Sequence, residues 1–337
     1  MKQIRVHGPN DVRLDDIDPV PPGPRDAVVR VGACGICGSD VSYVHMGGLG
    51  RPGGEPMPLG HEMAGVVEWV GREVGCVAVG DRVIVHPGDV GHGPMGSGGS
   101  EGGLTHAVLV REAANGRRLF PVPPDLPLSV AALAEPVGVG MQAVNQADVA
   151  RGDKVAVFGC GPIGLTAIAT LLDRGIGEVV AVDLSPQRLV LAEGLGVQAA
   201  LDPTKVDVWE ELARLHGTAP FMFGPTPATD AFIEASGSDE VIGDVLQHGR
   251  VDGRMSVVAL HYAPVPTSFL MVLMKQFTIR GSIEYPPRFE DAIELLARRD
   301  LSELITHRFE LEEFDRGLSL LEGSRECGKV MITMGME

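Results

Sequence analysis

The sequence predicts an α/β protein with two domains, one mostly β and one built on a doubly wound parallel sheet. The chain has 337 residues, more than a single hydrophobic core usually holds. Its 45 glycines and 25 prolines favour a turn-rich sheet protein over a helical bundle. The hydrophobic pattern changes near Arg151, from short strands to strands that alternate with helices. We therefore expect a different kind of domain in each half.

The composition excludes two classes of partner. With a formal charge of -17 and no cluster of lysine and arginine, the chain is not expected to bind nucleic acid. No apolar run approaches the ~20 residues of a membrane-spanning helix, so no membrane contact is expected. The start, MKQIRVHGPNDVRLDDIDP, lacks the features of a secretory signal, and the 5 cysteines do not form a disulfide framework. We therefore expect a cytoplasmic protein.

The first half, up to about residue 145, is predicted to be mostly β. The segments DAVVRVGACG, GHEMAGVVEWVG and GDRVIVHPGDVG alternate or stay apolar between glycines, as short strands do. Between Gly88 and Gly103 the chain is too rich in glycine to form regular structure. We expect a mobile surface loop there.

The second half shows the pattern of βαβ units. The segments KVAVFG, PIGLTAIATLLDRG, EVVAVD and SPQRLVLAEGLG alternate between strand and helix, which predicts a parallel sheet. DAFIEASG and RMSVVALH supply further strands. The pattern does not decide whether the ending GKVMITM extends this sheet or completes the first domain. The role of the insertion at 216–228 is also left open, although its apolar residues are expected to cover another surface.

A glycine-rich loop joins the first strand and helix of the second half. Gly159, Gly161 and Gly164 have the spacing G-x-G-x-x-G, which permits a tight turn, a close approach to a pyrophosphate and helix packing on the strand. Pro162 suits the first helical turn, which it shares with Ile163, because its missing N–H would be unpaired there. The loop therefore predicts a dinucleotide site, with the pyrophosphate over the helix N-terminus.

Asp183 ends the second strand of this half and predicts the kind of dinucleotide. It lies 24 positions after Gly159 (183 − 159), close to the ~20 expected for an acid that binds ribose hydroxyls. Because its carboxylate would repel a 2′-phosphate, we predict NAD rather than NADP. Arg188 weakens the prediction of NAD over NADP, since its guanidinium can line the adenosine or bind a phosphate. We also assign Ala259 and His261 to the cofactor site.

Three segments outside this loop carry a family resemblance: GICGSD at 35–40, GHEMAGVV at 60–67 and LAEPVGVG at 133–140. Together they resemble the zinc-dependent medium-chain dehydrogenases, the family of alcohol, polyol, sorbitol, butanediol and threonine dehydrogenases. The resemblance runs over nearly the whole chain.

The resemblance implies a domain organisation. A GroES-like catalytic domain would comprise residues 1–146 and 284–337, and a Rossmann NAD-binding domain residues 147–283. The active site would then lie in the cleft between the two domains.

The resemblance also implies a single catalytic zinc ion. By position, Cys37 and His61 match the first two ligands, and Glu135 falls where polyol-type relatives place a glutamate. Glu62 either orients the site or enters the coordination shell. A thiolate, an imidazole and a carboxylate suit zinc with one position left open. Whether Glu62 or Glu135 is the third ligand is left open.

The Cys34–Cys37 pair has other readings. A zinc ribbon would need a second Cys-x-x-Cys, and a redox pair would need its own strand-to-helix context. We therefore expect Cys34 to be a small buried residue. In relatives with a structural zinc, four close cysteines follow the GDRV strand, where this chain has a loop without cysteine. No structural zinc is expected.

The implied reaction is the reversible oxidation of a secondary alcohol, diol or polyol to a ketone, coupled to reduction of NAD. Ser39 stands where the family has the hydroxyl that accepts the alcohol proton, and Asp40 is expected to fix the Cys37 loop. The family's relay histidine is replaced by Ser42. His45 or bulk water is left as the candidate for its place.

The substrate is less determined. Polyols, vicinal diols, amino alcohols and bulky alcohols remain open, and Val139 is expected to pack near the nicotinamide. The pocket candidates are Tyr43, Met46, Ile283 and Tyr285. The alternatives are a zinc-free, NADPH-dependent reductase of the same superfamily and a non-catalytic dinucleotide-binding protein. The resemblance implies a homodimer or homotetramer.

Overall fold

The computed structural model describes residues 1–49, 54–88, 91, 93–323 and 326–335. The strands are β1 Lys2–Gly8, β2 Asp11–Asp16, β3 Ala27–Ile36, β4 Met57–Pro58, β5 Glu62–Val70, β6 Arg82–Val85, β7 Ala107–Val110, β8 Leu119–Pro121, β9 Val155–Phe158, β10 Val179–Val182, β11 Ala199–Leu201, β12 Thr218–Ala219, β13 Thr226–Pro227, β14 Ala231–Glu234, β15 Arg254–Val257, β16 Thr278–Gly281, β17 Ile305–Glu310 and β18 Lys329–Thr333. The helices are α1 Gly38–Met46, α2 Leu128–Ala131, α3 Ala134–Gln146, α4 Pro162–Asp173, α5 Pro186–Leu195, α6 Val208–His216, α7 Asp239–His248, α8 Phe269–Lys275, α9 Glu290–Arg298 and α10 Phe314–Gly323.

The first compact unit comprises Met1–Glu135 and Leu296–Glu337, and β-strands dominate it. Its larger sheet has the order β17-β18-β3-β5-β6-β8, with β7 paired to β3, and a smaller sheet has the order β2-β1-β4. β3 is buried along most of its ten residues and lies between β18 and β5. The prediction that the first half is mostly β is confirmed.

The ending GKVMITM, which the pattern left unassigned, forms β18. It pairs antiparallel with β3, with Val330 opposite Ile36, and therefore belongs to the first unit. This pairing returns the last part of the chain to the strand that carries Cys34. The domain boundaries implied by the resemblance stay a prediction.

The second unit comprises Pro136–Leu295 and contains a six-stranded sheet. The order is β11-β10-β9-β14-β15-β16, and every neighbouring pair is parallel. The strand order reverses between β9 and β14, which is the switch point where such sheets bind dinucleotides. The predicted doubly wound parallel sheet is confirmed.

The insertion at 216–228 forms the short hairpin of β12 and β13. The ring of Phe221 lies 5.0 Å from the ammonium of Lys275 on α8, whereas Met222 and Phe223 are exposed. Only part of the apolar insertion therefore covers another surface of this unit.

The glycine-rich segment after β6 contains no helix or strand within its described residues 93–103. Asp89, Val90 and His92 lie outside the described residues. Met95 is buried, and the N–H of Gly103 donates to the carbonyl of Gly60 at 2.7 Å. The described part of the loop thus packs against the residue that precedes His61.

In the part of the chain that the structure describes, no helix has both the length and the apolar character needed to cross a bilayer.

Candidate metal and cofactor sites

Cys37 follows β3 and is the N-cap of α1. Its backbone N–H donates to Oδ2 of Asp40 at 2.9 Å, and the N–H of Asp40 donates to the carbonyl of Cys37 at 3.1 Å. Asp40 is fully buried. The predicted role of Asp40 in fixing this loop is confirmed, and the reciprocal hydrogen bonds hold the backbone turn that carries the thiol of Cys37.

His61 lies beside this turn and is buried. Its Nε2 is 3.4 Å from the hydroxyl of Ser39, and its Nδ1 is 3.6 Å from Oδ1 of Asp40. Burial lowers the pKa of His61, but the charge of Asp40 and the hydrogen bond to Cys37 raise it well above its ordinary value. The groups around His61 therefore create a negative potential, which favours a bound cation as well as a proton on the ring.

Glu62, the first residue of β5, forms a buried ion pair with Lys329 of β18. The ammonium of Lys329 also donates to the carbonyl of Ile36 at 3.0 Å. Burial lowers the pKa of Lys329, but the charges of Glu62 and Cys37 raise it, so that the net shift is upward. Lys329 therefore remains a cation, and it neutralises the carboxylate of Glu62.

Gly35 makes room for this ion pair. β3 lies between β5 and β18, and Gly35 is opposite Glu62 on one side and Met331 on the other. A Cβ at Gly35 would overlap Oε2 of Glu62 and would lie 2.7 Å from Cε of Lys329. The absence of a side chain at this position allows the ion pair to cross the middle strand.

Cys37, His61 and Glu62 form the compact set of potential metal ligands. One ligand atom from each lies within 4.8 Å of the other two. A thiolate, an imidazole and a carboxylate are ligand types that catalytic zinc sites use, with a fourth position left for substrate or water. Glu135 is buried in the first turn of α3, and its charge raises the pKa of His61, but it lies outside this set. The donor types fit one zinc ion.

The remaining residues near Cys37 have other partners. Cys34 is fully buried and burial raises the pKa of its thiol, as expected for an inert packing residue. The hydroxyl of Ser42 donates to the carbonyl of Gly38 at 3.3 Å. The ring nitrogens of His45 lie 2.8 Å from Oδ1 of Asn10 and 3.4 Å from Oε1 of Glu322. His45 therefore contacts Asn10 and Glu322, and its part in the proton relay stays a prediction.

The glycine-rich loop after β9 has the predicted strand–turn–helix form. Gly159 has a φ of +93°, and a Cβ there would lie 2.6 Å from the backbone nitrogen of Ser236. Gly161 is the N-cap of α4 and Pro162 is its first residue. A Cβ at Gly164 would overlap the carbonyl oxygen of Gly159. Close packing therefore requires glycine at the first and third positions.

Asp183 and Arg188 both lie at this loop. The carboxylate of Asp183 accepts hydrogen bonds from the N–H of Cys160 at 2.6 Å and from the N–H of Ser185 at 2.7 Å. The guanidinium of Arg188 lies 3.7 Å from where a Cβ of Gly161 would be. The structure thus brings a fixed carboxylate and a cation to the glycine-rich turn.

The other predicted residues lie elsewhere in the second unit. Val139 is on α3, beyond Glu135, and Ala259 and His261 follow β15. His261 contacts two carboxylates. The place of these three residues in the cofactor site stays a prediction.

Sequence reasoning did not find Lys329 or Gly35. The local signal was Lys329 itself, because it is a charged residue inside the apolar strand GKVMITM. A buried charge needs a partner. Gly35 lies between Cys34 and Cys37. Nothing in its spacing indicated that a side chain there would displace Glu62.

Family models match both halves of the chain. The model described as alcohol dehydrogenase GroES-like domain matches residues 23–124, and the model described as zinc-binding dehydrogenase matches residues 162–298. The second match begins at Pro162, the first residue of α4. The predicted combination of a GroES-like domain and a Rossmann domain is confirmed.

Whole-length relatives agree with these matches. The chain is 31% identical to the (R,R)-butanediol dehydrogenase of Bacillus subtilis (strain 168), over 98% of this chain and 99% of that protein. It is also 31% identical to the sorbitol dehydrogenase of Homo sapiens, over 94% of this chain and 93% of that protein. The crystal structure of 2R,3R-butanediol dehydrogenase from Bacillus subtilis matches with a TM-score of 0.87 at 30% identity, over 98% of this chain and 99% of that one.

Proposed function

The chain belongs to the zinc-dependent medium-chain alcohol and polyol dehydrogenase family, and we propose that it oxidises a diol or polyol reversibly to a ketone with NAD. The observation that carries the proposal is the buried set of Cys37, His61 and Glu62, whose ligand atoms lie within 4.8 Å of one another. The substrate class follows from the names of the two relatives, a butanediol and a sorbitol dehydrogenase.

Each residue of the metal site has a proposed task. Bound zinc would supply a Lewis acid that lowers the pKa of the substrate hydroxyl, and NAD would accept the hydride. Cys37, His61 and Glu62 would hold the metal, and Ser39, whose hydroxyl lies 3.4 Å from His61, would take the substrate proton. Because Lys329 neutralises Glu62, the thiolate of Cys37 is the main uncompensated anion among these three ligands. Lys329 would thereby reduce the negative charge that these ligands bring to the metal.

Two observations support Glu62 rather than Glu135 as the third ligand. Glu62 belongs to the compact set, and its Oε2 is buried without a hydrogen-bond partner among the described residues. Glu135 lies outside the set, although its charge reaches His61. We propose that Glu135 adds to the negative potential of the site.

The activity is tested by following NAD reduction at 340 nm across a panel of polyols, vicinal diols, amino alcohols and simple alcohols. We expect the highest kcat/KM on a vicinal diol or polyol. Absence of turnover on every alcohol by zinc-loaded protein would contradict the proposal. Zinc-independent reduction of an activated double bond with NADPH would instead support the reductase alternative.

We propose NAD as the preferred cofactor because of the fixed carboxylate of Asp183. Its two oxygens are oriented by the N–H groups of Cys160 and Ser185, so the negative charge cannot easily turn away from a 2′-phosphate. The guanidinium of Arg188 lies near the turn, which makes the preference a matter of degree.

Replacing Asp183 with glycine is expected to change the cofactor preference. Removal of the like charge should shift the ratio of kcat/KM for NAD to that for NADP by roughly ten-fold or more toward NADP. The ratio is informative because loosening of the loop affects both cofactors. Asp148→Gly is the matched control, since Asp148 is exposed and has a φ of +52° that glycine adopts easily. An unchanged ratio in Asp183→Gly would mean that this carboxylate does not face the ribose.

We propose that the chain forms a homodimer or homotetramer through the β16 edge of the second unit. β16 ends the sheet, and the N–H groups of Thr278 and Ser282 donate toward β15, so those of Ile279 and Gly281 face the open edge. Exposed apolar side chains lie on α8, which directly precedes β16 in the chain, on β16 itself and just after it: Phe269, Leu270, Leu273, Ile279 and Ile283. An unpaired strand beside apolar side chains is typical of an association surface.

A cytoplasmic location stays a prediction.

Leu273→Glu is expected to reduce the molar mass measured by light scattering. A wild-type dimer should fall to a single chain of about 35.6 kDa, and a wild-type tetramer should fall to half its mass. The side chain of Leu273 is 73% exposed, so its replacement should leave the fold intact. Val190→Glu on α5 is the control, because Val190 is 63% exposed but lies away from β16 in the sheet order. A wild-type mass for Leu273→Glu would contradict this surface.

A further inference from the structure

His261 connects two loops of the second unit through both of its ring nitrogens. Nε2 lies 3.0 Å from Oε2 of Glu234 at the end of β14, and Nδ1 lies 2.9 Å from Oδ1 of Asp239 in the first turn of α7. An ionised carboxylate only accepts hydrogen bonds, so both ring nitrogens must donate. When both carboxylates are ionised, this geometry makes His261 an imidazolium cation.

Glu234 organises the backbone on both sides of this contact. Its Oε1 accepts the N–H groups of Ser236 and Gly237, each at 2.8 Å, and its carbonyl accepts the N–H of Val258 at 2.9 Å. The carboxylate is fully buried, and the side chain of His261 is only 9% exposed. The buried charge of Glu234 is thus compensated by a cation that comes from the next loop.

These loops lie at the dinucleotide edge of the sheet. Gly159 of the glycine-rich loop packs so closely on the turn after β14 that a Cβ there would lie 2.6 Å from the nitrogen of Ser236. β9, β14 and β15 are neighbours in one parallel sheet, so the loops that follow them share its carboxyl edge. Asp183 follows β10, on the other side of β9. The loops after β14 and β15 therefore belong to the half of the site opposite the adenosine ribose.

We propose that His261, in its imidazolium form, is a positioning residue for the dinucleotide, and that its deprotonation releases the loop after β15 and weakens cofactor binding. The inference rests on the proposed function, because it presupposes a dinucleotide at this edge. His261 would act through Glu234, without touching the reacting atoms. A loop that is held in place only part of the time lowers the apparent affinity in proportion to the lost fraction.

The sign of the pH dependence follows from the partners of the ring. Burial lowers the pKa of His261, but the hydrogen bonds and charges of Glu234 and Asp239 raise it above 6.5 overall. Among the described residues, the charged groups that face the ring are Glu234 from β14 and Asp239 from α7. The contact is therefore complete below about pH 6.5 and is lost as the pH rises through the raised pKa of the folded state.

The test is a fluorescence titration with NADH between pH 6 and 9.5. We expect the Kd of the wild type to rise roughly five-fold across the pKa of His261. His261→Asn should bind NADH about five-fold more weakly at pH 6 and show little further change with pH. His7→Asn is the matched control, since Nε2 of His7 also contacts a carboxylate, Asp15 at 2.8 Å, but lies in the first unit.

Asp239→Asn provides a second and milder variant, because Asp239 is 52% exposed. Removal of its charge should lower the midpoint of the NADH pH profile, and also the NMR titration midpoint of His261, which is assigned by its absence in His261→Asn. Wild-type affinity with a wild-type pH slope in His261→Asn would overturn the inference. A wild type that binds no NADH at any pH would overturn the proposed function together with the inference, even if the NMR midpoint were raised.

Discussion

Replacing Cys37 or His61 with alanine is expected to reduce bound zinc from about one ion per chain to near zero and to lower turnover by more than about a thousand-fold. In the proposed site each residue supplies one of three protein ligands, and the remaining two groups would not close the site around the ion. NADH affinity should stay within about two-fold of wild type, because the glycine-rich loop belongs to the second unit. Metal content, NAD reduction and NADH fluorescence measure the three quantities separately.

Cys34→Ala is the matched control for this experiment. Cys34 is a fully buried cysteine on β3, the strand that precedes Cys37, but it lies outside the ligand set, so zinc and turnover should be retained. Comparison of Glu62→Gln with Glu135→Gln identifies the third ligand: we expect the larger loss of zinc in Glu62→Gln. Full activity in Cys37→Ala or His61→Ala would contradict the assignment of the site.

Replacing Lys329 with methionine is expected to lower the free energy of unfolding by about 3–5 kcal/mol. The carboxylate of Glu62 would remain fully buried without its cation, which costs more than the ion pair itself contributes. Because the pKa of Lys329 is raised above 10.5, the stabilisation in the wild type should persist through neutral pH and fall only in strong alkali. Urea unfolding of the metal-free protein gives the difference without any contribution from zinc.

The double variant Glu62→Gln/Lys329→Met shows whether the effect comes from the unpaired charge. It should recover most of the lost stability, because neither position then carries a buried charge. Lys205→Met is the control: Lys205 is 68% exposed in a surface pair with Asp202, and its loss should change the stability little. A Lys329→Met variant as stable as wild type would show that the ion pair does not hold Glu62 in place.

Several features could be predicted from the sequence because their physical causes are local. The spacing of Gly159, Gly161 and Gly164 follows from a turn, a close approach and a helix contact within six residues of chain. Pro162 begins α4 because its ring is suited to a first helical turn. Asp40 fixes Cys37, three positions earlier in the chain, through a hydrogen bond to its backbone N–H. The alternation of strands and helices likewise predicted the parallel sheet.

The site as a whole could not be derived in this way. The resemblance brought Cys37, His61 and two glutamates into one hypothesis, but it left the third ligand open. Glu62 belongs to the compact set of potential ligands and Glu135 does not. The reason is the register of β3 and β5, which places Glu62 beside Gly35, next to the Cys37 turn. His45 is also a relay candidate by its spacing on α1, but that spacing does not reveal its contacts with Asn10 and Glu322.

What the sequence by itself determined was therefore the fold class, the dinucleotide loop and the types of ligand, each of which depends on residues close together in the chain. The tertiary structure alone decided how buried charges are matched: Lys329 reaches Glu62 from 267 positions away, and His261 joins Glu234 to Asp239. A buried charge must find its partner wherever the packing of strands brings one within reach. That distance depends on sheet order and register, which no local pattern specifies.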